Sequence, residues 1–164
     1  MSPCQGECRE FEPRIPLKCL VSQGYKYRNN LPCETIMSDI DTNKYNLTMW
    51  QGATFGLAIT VKDANNAVMN LSSYTARMQI RSSYSSGSAT ESLTTTNGEI
   101  TISAATGNVA LELAAARTAN ISVDMNNGKP PRSTYVYDLE LIDGAGKVSK
   151  LLYGDVLVYG EVTR

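Results

Sequence analysis

Between Thr54 and Tyr159 apolar and polar residues alternate one position at a time, in one short run after another. A period of two marks a strand with one buried and one solvated face. A helix would repeat its apolar positions about every three to four residues, so these runs cannot be amphipathic helices. The cleanest run is Tyr74-Thr75-Ala76-Arg77-Met78-Gln79-Ile80-Arg81. There Tyr74, Ala76, Met78 and Ile80 are expected to face a core, with Thr75, Arg77, Gln79 and Arg81 facing water. Residues 54–61 carry Phe55, Leu57, Ile59 and Val61 on one face, and residues 108–113, 135–142 and 147–159 repeat the pattern.

Turn chemistry separates the runs. Asp63-Ala64-Asn65-Asn66-Ala67 supplies turn formers, and a short strand is expected at residues 68–71. Residues 82–88, nearly all Ser with one Gly and one Tyr, read as a polar, flexible connection. Asn97-Gly98 between residues 92–95 and 99–102 predicts a hairpin, and Asp143-Gly144-Ala145-Gly146 predicts a second. The alanine-rich stretch at 114–119 is the best helical candidate, one or two turns long and placed to cross between sheets. Short strands with a turn about every 8–12 residues predict a mainly β fold, an antiparallel immunoglobulin-like β-sandwich.

Residues 1–45 have a different texture. They hold all four cysteines, Cys4, Cys8, Cys19 and Cys33, and four of the six prolines. Proline removes backbone donors and disfavours regular elements, so this stretch is expected to be an extended, irregular arm ahead of a sandwich at 46–164. The spacing C-x3-C-x10-C-x13-C fits two disulfides, or four thiolates around zinc or an iron–sulfur cluster, since neither cysteine-only site needs histidine. Free thiols are the third reading, and the clustering speaks against it. Tyr25 and Tyr27 give the arm aromatic surface for a partner.

The chain contains no histidine, which removes the usual general base, the usual triad and the commonest metal ligand at once. Its 15 basic and 16 acidic side chains leave no cationic excess for a nucleic-acid partner. No apolar run reaches the roughly 18 residues of a membrane span. The polar N-terminus lacks a secretory pattern, so the three Asn-x-Ser/Thr matches at Asn46, Asn70 and Asn120 read as coincidences. Asp138 and Glu140 point the same way on one strand. They read as a charged sheet face rather than a catalytic carboxylate pair. If that strand neighbours the 74–81 strand, Arg77 or Arg81 is expected within salt-bridge reach of Asp138 or Glu140. Trp50, the lone tryptophan, is expected to pack into the sandwich or onto a neighbour rather than to stack on a sugar.

The order of these pieces resembles a module of tailed-bacteriophage structural proteins. Gln51-Gly52-Ala53-Thr54-Phe55 leads into a strand and is followed by Leu71-Ser72-Ser73-Tyr74-Thr75-Ala76-Arg77-Met78-Gln79-Ile80-Arg81. Gly107-Asn108-Val109 and Tyr135-Val136-Tyr137-Asp138-Leu139-Glu140-Leu141 come later. The series looks like the N-terminal immunoglobulin-like domain of upper baseplate and tail-fibre attachment proteins, over about two thirds of the chain. The resemblance implies a non-enzymatic virion subunit, oligomeric in the particle, that docks other phage tail, baseplate or fibre proteins. A capsid decoration protein and, from another class, a carbohydrate-binding module are the alternatives. The cysteine-bearing arm has no counterpart in that pattern.

Overall fold

The computed structural model describes residues 18–22 and 43–163. Within them nine strands form two sheets, and the chain is a mainly β sandwich. In chain order the strands are β1 (Lys18–Ser22), β2 (Leu47–Trp50), β3 (Phe55–Lys62), β4 (Thr75–Arg81) and β5 (Glu91–Thr94), then β6 (Ile100–Ser103), β7 (Asn108–Leu113), β8 (Arg132–Ile142) and β9 (Val148–Tyr159). A one-turn helix, α1 (Ala115–Thr118), separates β7 from β8. One sheet runs β1-β3-β7-β6 and the other β2-β9-β8-β4-β5.

The alternation dictates which side chains meet. Leu57, Ile59 and Val61 of β3, with Val109, Leu111 and Leu113 of β7, pack from one sheet. Met78 and Ile80 of β4, Tyr137, Leu139 and Leu141 of β8, and Val156 and Val158 of β9 meet them from the other. Each such aliphatic side chain taken from water contributes about 1.5–3 kcal/mol, which makes the two-sheet core the dominant stabilising feature.

Four local expectations are corrected. Asn97-Gly98 makes a tight turn, with Thr94 N–H donating to Asn97 Oδ1 at 2.9 Å and Gly98 at φ +79°. It does not close a hairpin, because β5 pairs with β4 and β6 pairs with β7 in the opposite sheet. Residues 68–71 form no strand. Asp63 Oδ1 accepts the N–H groups of Asn65 and Ala67, and Val68 makes only a single bridge to Lys62. The sandwich is not wholly antiparallel, since β2 runs parallel to β9. Finally, Lys18–Ser22, inside the stretch read as an irregular arm, is a strand that pairs antiparallel with β3.

The second turn does close a hairpin. Asp143 Oδ1 accepts from the N–H groups of Ala145 and Lys147, and β8 runs back along β9. A bulge there pairs Leu139 with Leu152 but Glu140 with Lys150, which leaves Leu151 as an extra residue, and both leucines are buried. The entry to β2 lies so close to β9 that a Cβ on Gly154 would sit 2.5 Å from the Tyr45 carbonyl oxygen. Only glycine permits that approach.

Candidate functional site: the outer face of the five-stranded sheet

Register sets the pattern of the solvent-facing side of β2-β9-β8-β4-β5. Trp50 lies beside Tyr159, and Tyr159 beside Arg132, at one corner. Near the middle Asp138 lies opposite Gln79, and next to them Glu140 lies opposite Arg77. The residues between these on each strand are buried, so the strand period brings the polar set onto one surface.

Arg77 and Glu140 form the cross-strand ion pair. Arg77 Nε and Nη2 each stand 2.7 Å from Glu140 Oε2. Arg81 and Asp138 make no such pair. In an antiparallel ladder a step up one strand is a step down its partner, so Arg81 falls opposite Val136 and outside the line of acids. Asp138 takes Lys150 of β9 instead, Nζ to Oδ2 at 3.0 Å. Arg81 turns its guanidinium onto Gln79 Oε1, at 2.8 Å from Nη2, and donates from Nη1 to the Ser86 carbonyl at 2.6 Å. That second bond ties down the serine-rich connection, which is further closed by Ser86 N–H donating to the Ser83 carbonyl. The connection is thus a hydrogen-bonded turn where the sequence suggested a flexible tether.

Tyr84, at the tip of this turn, is 77% exposed. With the β4 and β8 side chains it borders a groove of about 430 Å³ whose floor includes Arg77, Gln79, Arg81, Val136, Asp138 and Glu140. Every charged group on that floor already has a partner. The arrangement can offer a polar ligand the unused donors and acceptors of planar side chains, beside one aromatic ring.

Trp50 does not pack inside the sandwich, which leaves the neighbour of its two expected packing surfaces. It is 42% exposed on the edge strand β2, with its ring stacked on Tyr159 at 4.7 Å between centroids. The Tyr135 and Tyr137 rings lie on the core face, as the alternation requires. Cys4, Cys8, Cys33, Tyr25 and Tyr27 lie outside the described residues, and Cys19 enters the structure through its backbone, opposite Val61 in β1. Among the described residues no group of three or more His, Cys, Asp or Glu side chains is placed to hold a metal ion. No helix among them is long and apolar enough to cross a membrane.

One charged cluster escaped the sequence reading. Arg117 of α1 reaches Glu91 of β5 with Nη2 and Glu99, just before β6, with Nη1. Burial works against the Arg117 charge, but the hydrogen bonds and Coulombic attraction from Glu91 and Glu99 outweigh it and raise its pKa. The cluster fastens the helix to the segment that changes sheets. Nothing local in the sequence marks it, since Glu91 and Arg117 are 26 residues apart.

Compared with known proteins, the chain matches no family model and no curated sequence significantly.

Proposed function

We propose that this chain is a non-enzymatic structural subunit of a tailed-phage particle, an adaptor at the tail, baseplate or fibre attachment that joins neighbours through its arm and its sandwich. The observation that carries this reading is β1. A five-residue strand from ahead of the sandwich adds itself to the edge of β3, in antiparallel register from Lys18 opposite Lys62 to Ser22 opposite Ala58. Backbone addition at a sheet edge is how extended segments join subunits, because the ladder supplies affinity whatever the side chains are. Twenty residues separate Ser22 from Asn43 in the sequence. At roughly 3.3 Å per extended residue that length can deliver the strand to its own β3 or to that of an adjacent copy.

The strand order also supports an immunoglobulin-like body. The sequence β1-β3-β7-β6 facing β9-β8-β4 is the order expected for strands ABED against GFC, with β5 as an added C′ strand and β2 as a parallel strand beside G. That agrees with the sequence resemblance to phage tail modules. The test is quantitative mass spectrometry of density-purified particles from cells that produce this chain. A fixed number of copies per particle is expected. Its absence from particles would overturn the proposal.

A further inference from the structure

We propose that the groove between Tyr84 and the β4–β8 floor is a binding site for an uncharged oligosaccharide. The mixed charge of the groove disfavours the commoner ligands one by one. Arg77 and Arg81 line it together with Asp138 and Glu140, and Lys150 stands against Asp138, so an ion of either sign meets like charges beside opposite ones. Arg77 is held by Glu140 and Arg81 by Gln79 and the Ser86 carbonyl, while Asp138 is held by Lys150. A phosphate or carboxylate brought to either arginine would also stand near the Asp138 and Glu140 carboxylates that line the same floor. An apolar ligand would cover a floor on which Val136 is the only aliphatic side chain. A peptide strand has no free backbone to join, because β4 and β8 are both paired on either side.

A sugar suits what is left. Its adjacent hydroxyls both donate and accept, and so can bridge guanidinium, amide and carboxylate groups that keep their existing partners. Its C–H face matches a ring such as Tyr84, which stands exposed and is positioned by a turn that Arg81 pins. The volume of about 430 Å³ lies within the roughly 300–1,000 Å³ of small-ligand sites.

The experiment is a 15N–1H titration of the full chain with maltotetraose, cellotetraose and chitotetraose, each to about 10 mM, with a heparin tetrasaccharide as the anionic control. At least one neutral sugar is expected to shift the amides of residues 77–81 and 136–140. Its affinity should hold within about twofold from roughly 50 to 500 mM salt, because the sugar carries no charge. Tyr84→Ala and, independently, Arg77→Ala should each weaken it about tenfold or more. Three results would overturn the assignment: no response to any neutral sugar, a response centred on Trp50 that survives Tyr84→Ala, or binding of the anionic sugar alone that fades with salt. Particle incorporation is read separately, so either proposal can fail without the other.

Discussion

Arg117 and Glu91 join the one-turn helix after β7 to the first residue of β5, across the boundary between the two sheets. Glu91 is 8% exposed and is one of two buried polar residues among the described residues, the other being Thr118 in α1. Removing the guanidinium strands a nearly buried carboxylate. Arg117→Met is therefore expected to lower stability by about 2 kcal/mol, the range for a partly buried ion pair that loses one member. Adding Glu91→Gln should restore part of the loss. Urea denaturation of the three proteins checks this, and an unchanged midpoint for Arg117→Met would show that the cluster does not hold the crossing.

The Arg77–Glu140 pair is more open to water, and less is expected of it. A double-mutant cycle with Arg77→Ala and Glu140→Ala should give a coupling of about 0.2–1 kcal/mol. Salt near 1 M, where screening reaches roughly 3 Å, should shrink that coupling. A coupling of several kcal/mol, or one indifferent to salt, would mean that the pair is shielded in a way the exposed face does not suggest.

Tyr135 carries the pH dependence that can be assigned. Its buried ring donates from the hydroxyl to the Ser122 carbonyl at 2.5 Å, and desolvation raises its pKa above the usual phenol value near 10. The folded state thus holds the proton more tightly than the unfolded chain does. Its contribution to stability is complete below about pH 10 and is lost as pH rises through the higher folded value. Tyr135→Phe should cost about 1 kcal/mol at pH 8 through the lost hydrogen bond. The variant should then lose less stability than wild type between pH 8 and 10.5, as denaturation at the two pH values will show.

How far the sequence reached depended on whether the governing contacts were local. The inner faces of β3, β4 and β8 could be read from alternation alone, because a strand with one wet side must alternate. The Arg77–Glu140 contact followed once those strands were taken as neighbours. Asn97-Gly98 was legible as a turn but not as a change of sheet. The dipeptide fixes local φ values, whereas the pairing partners of β5 and β6 lie in β4 and β7. For Trp50 the sequence leaves two packing surfaces open, the sandwich interior or a neighbour, because a lone tryptophan usually supplies buried area. It lies on the alternate face from Leu47 and Met49 in a strand too short to announce its own phase. The groove could not be anticipated, since Tyr84 sits in a serine run whose shape comes from Arg81 binding Ser86.

Strand β1 offers the sharpest test of assembly through the arm. Adjacent amides in a strand point to opposite sides, so a chain carrying both Leu20→Pro and Val21→Pro must lose at least one donor toward β3, whichever of the two faces it. The measurement is the copy number of this double variant in purified particles relative to wild type, alongside the thermal unfolding of the isolated protein. Expected is a sandwich that still unfolds cooperatively, with incorporation reduced about tenfold or more, as loss of a strand's worth of pairing would produce. Wild-type incorporation of the variant would contradict the account and leave β1 as an ornament of the edge it covers.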